Sequence, residues 1–284
     1  MEYSPVNSTR VCIATLAYYS ALGDMPLTST EAWQWQMNER GLPTTVSLRT
    51  VRETLTNLVQ ERVVQVQNGF YSLTTNPGNA SKRRWRIAET LEKRHSLARK
   101  TAFLSFIPFV RLVRVLGSVA IGNARANSDI DLSIGVARGR LWLARALVTL
   151  VAHLLGVRRW GSHTADRLCF NHYTTTSEAP YGTLDPAFFH IERQSIPLQP
   201  WSGPSKPTRA RVFELALELF GVASILEWTL GAIQRAKIRS NALAYPSALP
   251  EPSHDSAHLV FYYPRVLAVE ALWKKILFSN SVIL

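Results

Sequence analysis

The sequence predicts a mixed α/β chain, with helical modules at both ends and a strand-based core between them. Three observations predict it. Helically spaced apolar residues in 9–22 and 47–62 are followed by alternating residues around Asn68-Gly69, a helix-to-hairpin change of period. Residues 112–136, LVRVLGSVAIGNARANSDIDLSIGV, read as strand, turn, short helix and second strand. Residues 208–240 return to the helical period.

Composition excludes several classes. The 284 residues carry 32 Lys+Arg against 20 Asp+Glu, a net charge of +12. With 46% hydrophobic and 18% charged residues, the chain is neither disordered nor a coiled coil, and its length suits two domains or three small ones. Two cysteines, Cys12 and Cys169, make no disulfide framework and fit a reducing compartment. The first residues carry Glu2 and Pro5 rather than a basic region and an apolar run. The most apolar stretches, 141–157 and 212–233, are interrupted by Arg145 and His153, and by Glu214, Glu218 and Glu227. The expectation is a cytoplasmic protein without a membrane partner.

Charge is concentrated. Residues 1–79 sum to −1, residues 117–284 to +5, and residues 80–116 to +8. That middle stretch holds Lys82, Arg83, Arg84, Arg86, Lys93, Arg94, Arg99, Lys100, Arg111 and Arg114 against Glu89 and Glu92. Such a cluster is the usual footprint of a polyanion partner, and equally describes a solvated helix face.

Residues 1–76 form the first predicted domain. Val11, Ile13, Leu16, Ala17 and Leu22 mark a helix over 9–22. Thr28 to Glu31 resemble a helix start with an acid in the first turn, the helix running to Arg40 before Gly41-Leu-Pro43. Ser47 caps a third helix with Val51, Leu55, Leu58 and Val59 on one face. Asn68-Gly69 then suits a type I′ hairpin turn, which needs positive φ at both central residues. Three helices and a hairpin, with Val51, Leu55, Leu58 and Val63 before Gly-Phe-Tyr, resemble a winged helix-turn-helix. That resemblance implies DNA reading led by Arg49 and Arg52. The local charge of −1 argues equally for a protein partner.

After the turn-rich residues 76–81, a basic connecting helix is expected over 81–106, capped by Ser81 and ended by Pro108. Lys82, Arg83, Arg84 and Arg86 are its candidate nucleic-acid contacts, because cations early in a helix oppose its dipole. Ile87, Leu91, Ala98 and Leu104 are its expected buried stripe.

The core is expected over 107–178. Side chains two apart on a strand share a face, so Asp129 and Asp131 stand side by side while Ile130 enters the core. Two close carboxylates repel unless a cation separates them, which suits Mg²⁺ or Mn²⁺. Gly117-Ser118 opens a helix whose free N–H groups and hydroxyl suit a phosphate, with Arg125 a flanking cation for a triphosphate. His163, Cys169 and His172 match no standard zinc spacing.

Gly-Ser, ten residues, then Asp-x-Asp is similar to the signature of the DNA polymerase β-like nucleotidyltransferase superfamily, and most to its minimal nucleotidyltransferases. Ile107-Pro-Phe-Val110 and Gly139-Arg-Leu-Trp142 resemble a bacterial group of these proteins that carries an N-terminal winged helix. The likeness covers residues 107–173. It implies a mixed-sheet core that moves a nucleoside monophosphate from an NTP, ATP first, to an acceptor hydroxyl and releases pyrophosphate. Asp129 and Asp131 would hold the metal, and Gly117 and Ser118 the phosphates. The superfamily's third carboxylate lies on a later strand, but residues 167–173 (RLCFNHY) hold no acid. Asn171 stands nearest the expected place, with Asp166 before it and Glu178 after. Slow chemistry, a base from elsewhere and a binding-only core all remain open.

Residues 179–284 are read as a helical C-terminal region. A proline-rich stretch with a short helix near 186–193 leads to one helix over 208–240. Phe213, Leu217, Phe220, Leu226, Leu230 and Ile233 face inward, and Arg235, Lys237 and Arg239 form a basic end. A loop over 242–256 and a last helix over 264–277 follow, with Trp201, Trp228 and Trp273 read as core. By the resemblance this region chooses the acceptor, for which the basic helix favours nucleic acid. The rival expectations are a DNA-binding regulator with a nucleotide-sensing core, and an antitoxin that acts on or covers a partner protein.

Overall fold

The computed structural model describes residues 8–36, 46–175, 196–197, 208–244 and 258–260. The second helix, expected to run to Arg40, ends at Gln34 with Trp35 as its C-cap. Sequence expectations for residues 37–43, for the helices near 186–193 and 264–277, and for Trp201 and Trp273 lie outside the described residues. The fold is α/β with a mixed sheet, and the chain divides into two compact units between Ile87 and Ala88.

In the first unit, helices α1 (Ser8–Gly23), α2 (Ser29–Gln34) and α3 (Leu48–Gln60) precede strands β1 (Val64–Gln67) and β2 (Phe70–Leu73). Thr28 and Glu31 make a reciprocal capping box at α2, and the Ser47 hydroxyl accepts from Thr50 N at α3, 3.1 Å away. Asn68 (φ 52°) and Gly69 (φ 80°) turn the chain between the paired strands, as the dipeptide predicts. Val51, Thr54, Leu55 and Leu58 of α3 are buried, and α1 and α2 both pack on α3. Tyr19 and Trp35 add an aromatic pair at 4.9 Å.

Helix α4 (Ala80–Thr101) runs into a 3-10 turn, Ala102–Phe106. Its buried positions match the expected apolar stripe only in part: Leu104 is buried in the 3-10 turn and Ile87 half-buried, but Ala98 is exposed. Leu91 is exposed, while Arg83, Arg86, Thr90, Lys93, Leu97 and Thr101 are buried. The helical period is present, but charged and hydroxyl side chains carry it.

In the second unit, β3 (Val110–Val115), the short helix α5 (Gly117–Ala120), β4 (Ile130–Val136), α6 (Leu141–Leu154) and β5 (Leu168–Thr175) follow α4. With the two-residue strand β6 (Ile196–Pro197) and β7 (His258–Val260), the sheet order is β6-β3-β4-β5-β7. β3 and β4 are antiparallel, β4 and β5 parallel, and β6 and β7 are antiparallel to their neighbours. The parallel pair requires a crossover, which α6 supplies. Val113, Val115, Ile130, Leu132, Ile134, Leu143 and Val148 belong to the core.

The helix expected over 208–240 is two helices, α7 (Thr208–Leu219) and α8 (Val222–Ala244), bent by 87°. Gly221 (φ 65°) ends α7 in the left-handed conformation, its N–H donating to Glu218 O. The inward face also differs from expectation. Phe220 is 78% and Trp228 67% exposed, and Phe213 and Ile233 are exposed too, while Leu217, Leu226 and Leu230 pack on the core. Acids make much of the inward contact. Glu214 accepts from Phe109 N (2.6 Å) and twice from Arg111, Glu218 from Arg140, and Glu227 from Trp142 N and Leu143 N at the start of α6. Among the described residues, no single helix is long and apolar enough to cross a membrane.

Glu214 therefore fixes the entry to β3, where Phe109 adopts φ 65°, a left-handed conformation that costs a side-chain-bearing residue energy. Glu214→Ala strands the Phe109 N–H and removes the Arg111 bridge. A loss of about 2 kcal/mol in urea unfolding is expected, with Glu214→Gln recovering part of it.

Candidate functional site

The strand alternation predicted from Asp129-Ile-Asp131 is present. Ile130 is fully buried in the core, and both aspartates are half-buried on the other face. Asp131 is in register with Cys169 of β5, and in-register residues of neighbouring strands share a face. One carboxylate oxygen from each aspartate and the Cys169 sulfur lie within 4.8 Å of one another.

Gly117 closes the other side of Asp131. The Leu116 N–H donates to Asp131 O at 2.8 Å, which brings the β3–α5 turn against β4. Gly117 then adopts φ 63°, and a Cβ there would lie 2.5 Å from Asp131 Oδ2. The dihedral and the close approach both demand glycine. Ser118, next along α5, is half-buried.

Arg159, which the sequence did not single out, reaches the same cluster. Its backbone N–H donates to Leu168 O, and its Nη1 lies 2.6 Å from Asp129 Oδ2 and 3.8 Å from Cys169 Sγ. Burial, then the charge of Asp129, pushes the Asp131 carboxyl up to about 7, against the opposing pull of Arg159 and a hydrogen bond with Cys169. Burial and the two aspartates push the Cys169 thiol to about 12, so it is neutral at pH 7.

The connection from α5 to Asp129 is held by α4. The Thr90 hydroxyl accepts from Ala124 N, Arg94 donates to Val119 O and Ala120 O, and buried Lys93 donates to Ala126 O and Ser128 O. Lys93 also pairs with Asp166 at 2.6 Å. Two charges that the sequence reading assigned to a polyanion footprint thus fix the loop entering the aspartate pair.

The other expected residues separate. Arg125 sits in that loop with its side chain exposed and its backbone N–H on Ser128 Oγ. Asn171 lies in β5, but its side chain is outside the described residues, and Cys169 is the residue beside the aspartates. Arg83 and Arg86 do not face solvent: each is 1% exposed, Arg83 paired with Glu31 and Arg86 donating to Gly23 O. Lys82 is exposed and paired with Asp24, Arg49 is exposed and paired with Glu53, and Arg52 and Arg84 are exposed. Cys169 could have been found from the sequence only by fixing the parallel register of β4 and β5. Arg159 gave no motif signal.

The raised Asp131 carboxyl has a pH signature. Between about 4 and 7 the folded chain holds a proton that the unfolded chain has released, so this group's contribution to stability falls as pH rises. Asp131→Asn removes that dependence. The variant is expected to be more stable than wild type at pH 8 by about 1–3 kcal/mol and level with it near pH 4, in metal-free urea titrations.

No family model matches this chain, and no curated protein or solved structure matches it.

Proposed function

We propose that the second unit is a metal-dependent nucleotidyltransferase core, and that the chain moves a nucleoside monophosphate from an NTP to an acceptor hydroxyl. The observation that carries this reading is the aspartate pair at the start of β4, set against the Gly117-Ser118 turn with its ligand oxygens close enough to share one ion. The donor set fits a divalent cation: two adjacent carboxylates, one of them raised by burial and then by the charge of the other, favour their charged forms when a cation lies between them. When bound, a divalent cation supplies charge neutralisation at the α-phosphate and the leaving oxygens.

The chain's own residues orient the reactants. Asp129 and Asp131 hold the cation, Gly117 lets the backbone approach Asp131, and Ser118 supplies the turn's hydroxyl to the phosphates. The acceptor oxygen forms a bond to the α-phosphorus, the bridging α–β oxygen leaves with pyrophosphate, and the hydroxyl proton passes to solvent. The neutral Cys169 thiol is no base, so the reaction is expected to be slow. The net charge of +12 favours nucleic acid as acceptor, with ATP as the first donor to test. In this reading the first unit is a winged helix, with Arg49 and Arg52 on the exposed side of α3.

Cys169 in place of a third acid favours a second reading, in which the core binds nucleotide without transferring it and the first unit contacts DNA or a partner protein. Incubating the full chain with α-labelled NTPs, Mg²⁺ or Mn²⁺, and cellular RNA and protein separates the two. Label transferred to a defined acceptor supports the transferase. Metal-dependent retention of nucleotide without transfer supports the sensor.

A further inference from the structure

We infer that Cys169 is the third ligand of the ion held by Asp129 and Asp131, and that the site selects a borderline-soft divalent ion of the zinc or cobalt class over Mg²⁺. This rests on the proposed metal site and specifies its ion. Parallel pairing of β4 with β5 puts Cys169 in register with Asp131, on the face that carries both carboxylates. The three donor atoms lie within 4.8 Å of one another, a spacing that one ion can span. All-oxygen sites suit Mg²⁺, whereas a sulfur donor shifts preference towards ions that form strong thiolate bonds. Arg159 lies against the same donors, 2.6 Å from Asp129 Oδ2 and 3.8 Å from the sulfur, so its guanidinium must move aside as an ion binds. On binding, the Cys169 thiol gives up its proton to solvent as the metal–sulfur bond forms, with no change of oxidation state.

The test is Co²⁺ titration of the full-length chain, read by absorption and by the amount of ion bound, in wild type, Cys169→Ser and Asp129→Asn. One bound ion with a thiolate-to-cobalt charge-transfer band is expected, undisplaced by excess Mg²⁺. Cys169→Ser should lose the band and weaken binding at least ~10-fold, the lower end of what even outer-sphere partners of a metal contribute. Its retained circular dichroism would show that the fold survives. Co²⁺ bound through Asp129 without a thiolate band, or readily displaced by Mg²⁺, overturns the inference and leaves the aspartate metal site standing. Co²⁺ binding that Asp129→Asn leaves unchanged overturns the inference and the metal site together.

Discussion

An Asp129→Ala/Asp131→Ala chain is expected to transfer no measurable label from any α-labelled NTP, a fall of at least ~10³-fold where wild type is active. The two side chains supply both carboxylates of the cluster, and among the described residues the metal-competent group at the site contains no others. Removing them leaves a thiol and a guanidinium, which together cannot hold a divalent cation against a triphosphate. The loss should appear in kcat rather than as unfolding, because both side chains point away from the core that buries Ile130. Unchanged far-ultraviolet circular dichroism alongside the lost transfer is the paired measurement. Transfer that persists in the double variant would place the chemistry elsewhere.

Gly117→Ala is expected to disable the site from the other side. Alanine at φ 63° costs about 1–2 kcal/mol from the backbone alone, and its Cβ would also lie 2.5 Å from Asp131 Oδ2. The carboxylate must move, so metal affinity should fall at least ~10-fold, since small misplacements at such sites cost that much. Gly139→Ala is the control. Gly139 has φ 67°, but a Cβ there meets nothing within 4 Å. It should lower stability by a similar backbone amount, measured by thermal unfolding, and leave metal binding alone. Equal metal affinities in the two variants would contradict the close approach of Gly117 to Asp131.

Local signals were legible in the sequence because local physics decides them. The Thr28–Glu31 box, the Ser47 cap, the Asn68-Gly69 turn and the Asp129-Ile-Asp131 alternation depend on neighbours within a few residues. The missed features depend on partners far along the chain. Arg83 and Lys93 are buried because Glu31 and Asp166 meet them, and no run of basic residues announces which members will be neutralised. Cys169 joined the site through a register, and Arg159 through a backbone bridge to Leu168. The apolar positions of α7 and α8 misled for a related reason. Glu214 and Glu227 turn inward to Phe109, Arg111 and the start of α6, and Glu218 pairs with Arg140 at the surface, while Phe213 and Phe220 are left exposed. The break at Gly221 was written in the sequence, but the apolar period ran through it.

The most direct test of the central claim is equilibrium dialysis of the full chain against α-labelled ATP, with and without a divalent ion, in wild type and Asp129→Asn/Asp131→Asn. Asparagine keeps the shape of the cluster and removes its charge. One nucleotide is expected to be retained per wild-type chain only when the ion is present, and none by the variant in either condition. Nucleotide retained without metal, or retained equally by the variant, would contradict that claim.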